Sequence, residues 1–134
     1  MALGAGAAEN VSVLVVDDDY DIRASICDIL QDEGYSVAMA CHGAEAMEML
    51  KRIKPSLILL DLNMPIMNGA DFRAAQKLDP ALSAIPTVVM TAVDRMKERL
   101  ADMAPNAALA KPLKLESLLA VVAQFCDPRD TAAG

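Results

Sequence analysis

Five short apolar runs, each followed by a stretch with helical spacing, constrain the fold of this chain more than any other feature. The runs are rich in Val, Ile, Leu and Ala, which is typical of strands buried on both faces of a sheet. We predict strands over Val11–Val16, Tyr35–Ala40, Ser56–Asp61, Ile85–Met90 and Ala107–Ala110. Because a helical segment separates each run from the next, we expect parallel strands with helices on both faces of the sheet.

The segments after these runs carry apolar residues at the spacing of one helix face. The first stripe begins at Ile22, and Gly34 is expected to end that helix. We predict the later helices over Ala44–Ile53, Ala70–Leu78, Asp94–Met103 and Leu115–Cys126. Lys54–Pro55 and Asp79–Pro80 are expected to close the second and third helices, because proline disfavours helical backbone in the residue before it.

The length of 134 residues selects among the folds that alternate strands and helices. A closed eight-stranded barrel is excluded, because it needs about 250 residues. We therefore predict a flavodoxin-like, doubly wound (βα)5 fold of the α/β class, with a parallel five-stranded sheet in the order 2-1-3-4-5. Residues 11–126 are expected to form this domain, between a flexible segment over residues 1–10 and a tail over residues 127–134.

The charge balance is acidic, with 12 Lys and Arg against 19 Asp and Glu and a net charge of -7. This balance argues against direct binding to nucleic acid or to an anionic membrane. No apolar stretch reaches the roughly 20 residues of a membrane span, and no signal peptide is visible, so we expect a cytoplasmic chain. Cys27, Cys41 and Cys126 are scattered, and we expect reduced thiols that pack in the fold.

Polar residues stand where the predicted strands end. Asp17 and Asp18 follow the first strand and Asp61 ends the third. Strands one and three are neighbours in the predicted order, so these carboxylates face one crevice. Two unit charges 4 Å apart repel by about 4 kcal/mol at an effective dielectric constant of 20, so we expect a cation between them. The set of oxygen ligands therefore predicts a Mg²⁺ site. Asp19 is expected to cap the following helix, and His42 to be a solvated loop residue.

The fourth and fifth strands add donors to the same edge of the sheet. Thr91 and Ala92 follow the fourth strand and offer a hydroxyl and a backbone amide, and Lys111 follows the fifth. Lys111 can pair with Asp61 at rest and with a phosphoryl oxygen later. Together these groups indicate a phosphoryl-transfer site, because such a site needs a metal, a lysine, hydrogen-bond donors and a carboxylate nucleophile.

The segments that carry this chemistry resemble the receiver domain of two-component response regulators. They are VLVVDDD (Val13–Asp19), LILLDLNMPIMNG (Leu57–Gly69), VVMTA (Val88–Ala92) and AKP (Ala110–Pro112). The resemblance implies a signalling domain and not an enzyme. Such a domain catalyses its own phosphorylation and dephosphorylation. It implies a phosphorelay partner, either a histidine kinase or a histidine phosphotransfer protein, and a downstream protein partner.

The resemblance also implies residue roles. Asp61 is the implied phosphoacceptor, Thr91 the switch hydroxyl and Lys111 the phosphate-binding lysine, with a cis peptide bond to Pro112. The amide of Ala92 is the implied phosphoryl contact. The implied Mg²⁺ ligands are Asp17, Asp18, Asp61 and the backbone carbonyl of Asn63.

Two departures from the family pattern bear on output. The position three residues before Lys111 usually carries Tyr or Phe as a rotamer switch, but here it is Ala108. The spacing from Thr91 to Lys111 is shorter than usual, and Pro105–Asn106 replaces the familiar Gly-Ala. We therefore expect phosphorylation to act locally or through the remodelled region around Val93–Asn106.

Two other functions compete with the phosphorylated receiver. A non-phosphorylated protein-interaction module on the same scaffold fits Ala108, but it has no physical need for clustered carboxylates. A Mg²⁺-dependent phosphatase fits less well, because Asn63 stands where such enzymes place an Asp as general acid.

Overall fold

The computed structural model describes residues 9–62, 67–92 and 105–126. Five strands in these ranges form one parallel sheet. The strands are β1 (Glu9–Val16), β2 (Val37–Ala40), β3 (Ile53–Asp61), β4 (Thr87–Ala92) and β5 (Ala107–Lys111). They lie in the order β2-β1-β3-β4-β5, so the predicted sheet order is confirmed.

Helices cover both faces of this sheet. The described helices are α1 (Tyr20–Asp32), α2 (Gly43–Met49), α3 (Gly69–Leu78), α4 (Pro80–Ser83) and α5 (Leu115–Phe125). Successive side chains of a strand point to opposite faces. Val13 and Val15 pack with α1 and α5 on one face, whereas Leu14 and Val16 pack with α2 and α3 on the other. The doubly wound α/β fold is therefore confirmed.

The start of β3 differs from the sequence prediction. We expected a helix over Ala44–Ile53 closed by Lys54–Pro55, but Ile53 is already the first residue of β3. Lys54–Pro55 pairs with the start of β1, which begins at Glu9 and not at Val11. The apolar stripe of the predicted helix was misleading because Ile53 reaches the same core cluster from the strand.

Two other boundaries were wrong by a few residues. β2 begins at Val37 and β4 begins at Thr87, each later than predicted. Pro86 has no N–H to give to a ladder, which explains why β4 starts after it. Asp79 does more than end α3, since its Oδ1 accepts a hydrogen bond from the Ala81 amide at 2.9 Å and caps α4, a helix we did not predict.

Capping residues fix both ends of α1 and the start of α2, and we did not predict one of them. Asp19 caps α1 as predicted, accepting a hydrogen bond from the Ile22 amide at 3.1 Å. Gly34, just after α1, has a φ of 98°, which favours glycine. His42 lies just before α2 and is half-buried, and it has a role that we did not predict, because its Nδ1 accepts a hydrogen bond from the Glu45 amide at 3.1 Å and caps α2.

A buried polar network, which the sequence did not predict, joins α3 to the start of β4. The Nη1 of Arg73 donates to Gln76 Oε1 at 2.8 Å, and Gln76 Nε2 donates to Thr87 Oγ1 at 3.0 Å. The Thr87 amide donates to Asn106 Oδ1 at 2.9 Å. These contacts fix the end of β4 that is remote from Thr91.

The three cysteines are free thiols, as predicted. Cys27 and Cys126 are buried and Cys41 is half-buried. Burial raises the pKa of the Cys27 thiol to about 11, so this thiol stays protonated at neutral pH.

Some sequence predictions fall outside the described residues. These are the helix Asp94–Met103, the metal ligand Asn63, the tail over residues 127–134 and most of the segment over residues 1–10. In the described part of the chain, no helix combines the length and the apolar character that a bilayer span requires.

Candidate functional site

The carboxyl ends of β1 and β3 bring three aspartates together. Val16 pairs with Leu60, so Asp17 and Asp61 each stand one residue beyond a paired position. The side chains of Asp17 and Asp61 are buried, whereas Asp18 is exposed. One oxygen of each carboxylate lies within 4.8 Å of the others. The register of the sheet thus accounts for the acidic cluster.

Lys111, at the end of β5, lies between the two buried carboxylates. Its Nζ donates to Asp17 Oδ2 at 3.2 Å and to Asp61 Oδ1 at 3.1 Å. Burial lowers the pKa of Lys111, but the charges of Asp61 and Asp17 outweigh it and hold the pKa above its ordinary value of 10.5. Lys111 is therefore a cation at neutral pH, and its peptide bond to Pro112 is cis.

Two hydrogen bonds hold the loop after β1, one within the loop and one from α1. The Asp19 amide donates to Asp17 Oδ1 at 3.0 Å. The Nη1 of Arg23, from α1, donates to the backbone carbonyl of Asp17 at 2.6 Å. We did not predict a role for Arg23 from the sequence, although its position one helical turn after the Asp19 cap places it next to the acidic loop.

Thr91 and Ala92 stand beside Asp61 at the end of β4. Asp61 pairs with Met90, and Ala92 pairs with Lys111 across the next ladder. Thr91 Oγ1 is buried and has no hydrogen-bond partner among the described residues. Because a buried hydroxyl without a partner costs about 1–3 kcal/mol, an acceptor placed beside it is bound favourably.

The start of α3 packs directly against the backbone of Asp61. The Gly69 amide donates to the carbonyl of Leu62 at 3.1 Å. A Cβ on Gly69 would lie 2.6 Å from the carbonyl oxygen of Asp61 and 2.7 Å from the Cα of Leu62. Asn68 caps the helix by accepting from the Asp71 amide at 2.9 Å. Only glycine allows α3 to approach the end of β3 this closely.

We expect Gly69→Ala to destabilise the chain by about 3 kcal/mol and to displace Asp61, because the new methyl group meets backbone atoms and not the flexible end of a side chain. Urea unfolding measures the loss of stability. Gly34→Ala is the control, because it strains the backbone far from the site and costs about 1 kcal/mol. A Gly69→Ala variant as stable as wild type would show that α3 shifts without resistance.

The charges in the cluster do not cancel. Among the described side chains, three carboxylates lie together, those of Asp17, Asp18 and Asp61, and the ammonium of Lys111 is in hydrogen-bond contact with Asp17 and Asp61. The donor set consists of oxygens, which suits Mg²⁺ and not a softer metal. The residues present therefore fit a divalent cation, with the orphaned Thr91 hydroxyl close by in the sheet.

A comparison with protein-family models shows which family the chain belongs to. The model described as response regulator receiver domain matches residues 13–123. This match covers most of the chain and lies inside the predicted domain over residues 11–126. The chain belongs to the response regulator receiver domain family.

Individual relatives agree with this assignment. The response regulator MprA of Mycobacterium leprae (strain TN) is 39% identical over 110 residues, which cover 81% of this chain and 47% of that protein. MprA of Mycobacterium tuberculosis (strain ATCC 25618 / H37Rv) is 38% identical over 113 residues, which cover 83% of this chain and 48% of that protein. The chain thus spans about half the length of these relatives.

Solved structures show the same fold. The Vibrio cholerae chemotaxis protein CheY4 is 30% identical, with a TM-score of 0.77 over 89% of this chain and 99% of that one. The signal receiver domain of a signal transduction histidine kinase from Syntrophus aciditrophicus is 27% identical, with a TM-score of 0.80 over 86% of this chain and 89% of that one.

Proposed function

We propose that this chain is a phosphorylatable receiver that accepts a phosphoryl group on Asp61 in the presence of Mg²⁺. The observation that carries the proposal is the buried Asp61, bridged to Asp17 by Lys111 at the edge of a receiver-family sheet. Asp17, Asp18, Asp61 and the Asn63 carbonyl are the proposed Mg²⁺ ligands. The bound ion supplies positive charge that stabilises the transferring phosphoryl oxygens.

The chain's own residues perform the transfer. A carboxylate oxygen of Asp61 bonds to phosphorus while the bond from phosphorus to the donor imidazole breaks, and the imidazole leaves with the electron pair. Lys111, the Thr91 hydroxyl and the Ala92 amide donate hydrogen bonds to the phosphoryl oxygens. Attack of water on the same phosphorus later returns Asp61 and inorganic phosphate.

The proposed partners follow from this chemistry. The donor is a phosphohistidine on a histidine kinase or a phosphotransfer protein, and a second protein reads the phosphorylated state. We propose a cytoplasmic setting, with no direct contact of this chain with nucleic acid or membrane. The net charge of -7 supports the absence of contact with nucleic acid or an anionic membrane.

Acetyl phosphate tests the function without a kinase. Wild-type protein is expected to gain one phosphoryl group, measured by intact-mass spectrometry, when acetyl phosphate and Mg²⁺ are both present. The same mixture with EDTA is the control and is expected to give no gain. No incorporation in the presence of Mg²⁺ would contradict the proposal and favour a non-phosphorylated interaction module. Equal incorporation with and without Mg²⁺ would contradict the proposed role of the ion.

We expect Thr91→Val to stabilise the resting chain by about 1 kcal/mol while weakening its response to phosphorylation. The valine keeps the shape but removes a buried hydroxyl that has no described partner. Urea unfolding measures the first effect, and the chemical-shift change of the Ala92 amide on phosphorylation measures the second. A large loss of stability would show that the resting hydroxyl already has a partner.

The output route is proposed to be atypical. Ala108 lies in β5 opposite Val89 of β4 and is half-buried, and its methyl group has no rotamers to exchange. A change at Thr91 is therefore proposed to stay local or to pass through the region around Val93–Asn106. New charge-assisted hydrogen bonds contribute about 1.5–3 kcal/mol each, so two or three of them supply the roughly 5.5 kcal/mol of a nearly complete switch.

A further inference from the structure

We infer that Arg23 is a positioning residue that holds the loop of Asp17 and Asp18 in the geometry that binds Mg²⁺. The inference rests on the proposed Mg²⁺ site and adds a residue that the motifs of the family resemblance do not contain. Arg23 lies in the second turn of α1, outside the acidic cluster itself.

The contact that carries the inference is made to the backbone. Arg23 Nη1 donates to the carbonyl oxygen of Asp17 at 2.6 Å. That carbonyl belongs to the peptide unit that joins Asp17 to Asp18. One charge-assisted hydrogen bond therefore restricts the rotation that would carry the two carboxylates apart.

Arg23 is held by a hydrogen bond of its backbone and by a ring contact of its side chain. Its amide donates to the carbonyl of Asp19 at 3.0 Å in the first turn of α1. Its guanidinium carbon lies 5.5 Å from the ring centroid of Tyr20, within the range of a cation–π contact. Arg23 is half-buried, so part of its side chain is shielded from solvent. Groups that orient metal ligands in this way commonly change metal affinity by 10–100-fold when removed.

Charge and positioning make opposite predictions for this residue. A cation beside a Mg²⁺ site repels the ion, so removing the charge of Arg23 would by itself tighten Mg²⁺ binding. Removing the hydrogen bond to Asp17 releases the loop and weakens binding. The sign of the change in the Mg²⁺ dissociation constant therefore separates the two roles.

The test is Mg²⁺ titration of the full chain, followed by the amide NMR signals of Asp18 and Asp19. Arg23→Met keeps the packed stem and loses both the charge and the donors, and we expect it to raise the dissociation constant about tenfold. Lys114→Met removes an exposed cation near Lys111 without touching the acidic loop, and we expect it to leave the constant within about twofold of wild type. Arg23→Leu, which also lacks both the charge and the donors, gives the same comparison if Met at this position prevents folding.

A second readout needs no metal. In the metal-free protein, Arg23→Met is expected to lower the backbone order parameters of Asp18 and Asp19 relative to wild type and Lys114→Met. Mg²⁺ binding by Arg23→Met that is as tight as wild type, or tighter, would overturn the positioning role while leaving the receiver function intact. Wild-type protein that binds no Mg²⁺ would instead overturn the proposed function.

Discussion

Asp61→Asn is expected to abolish phosphoryl transfer to the chain while leaving the fold in place. The amide has the shape of the carboxylate, but it is a far weaker nucleophile and carries no charge to hold Mg²⁺. Lys111 keeps its contact with Asp17 at 3.2 Å, so the site retains a cation with a partner. Intact-mass spectrometry after incubation with acetyl phosphate and Mg²⁺ is the measurement.

Asp71→Asn is the matched control for this variant. Asp71 is an exposed aspartate in the first turn of α3, and its replacement removes the same charge from the same region. We expect it to be phosphorylated like wild type. Phosphorylation of Asp61→Asn at the wild-type level would show that another residue accepts the phosphoryl group.

Lys111→Met is expected to lower the free energy of unfolding by about 2–3 kcal/mol at neutral pH in the absence of Mg²⁺. Removing one partner of a buried ion pair leaves charges without compensation, and here two buried carboxylates lose the same cation. The Lys111 side chain is 24% exposed, so solvent screens part of the loss and the estimate lies below the range for fully buried pairs. Added Mg²⁺ is expected to restore part of the stability, because it supplies a second cation to the cluster.

The pH dependence of this loss has a definite sign. The pKa of Lys111 is raised in the folded chain, so its stabilising contribution is complete below its ordinary value of 10.5 and disappears as pH rises through the higher folded value. The stability difference between wild type and Lys111→Met is therefore expected to be constant from neutral pH to about pH 10 and to shrink above it. Lys114→Met is the control. A difference that grows with alkalinity would contradict the assigned ion pairs.

The site could be predicted from the sequence where it depends on the sheet alone. Apolar runs located the strands, and strand order then placed Asp17 next to Asp61, because parallel strands present their carboxyl ends at one edge. The same reasoning placed Lys111 on that edge. What it could not give was the sharing of Lys111 by two carboxylates, which depends on side-chain reach from β5 past β4 to the ends of β3 and β1.

Other features depend on contacts that periodicity does not encode. The extension of β3 back to Ile53 is decided by pairing with β1, which overrides the helical stripe. The cap made by His42 depends on which ring nitrogen accepts a hydrogen bond. Arg23 reaches the Asp17 carbonyl only once the acidic loop has turned into α1. Each depends on a side-chain contact or a long-range pairing that the local sequence pattern does not encode.

The two hydrogen bonds of Lys111 span 94 and 50 residues of sequence. The site is thus assembled from residues at the ends of β1, β3 and β5, and a fragment that lacks any one of these strands does not contain it. A nascent chain that has not yet delivered β5 to the sheet holds its aspartates without their lysine. Under the proposed function, the chain is therefore expected to accept a phosphoryl group only after β5 has joined the sheet.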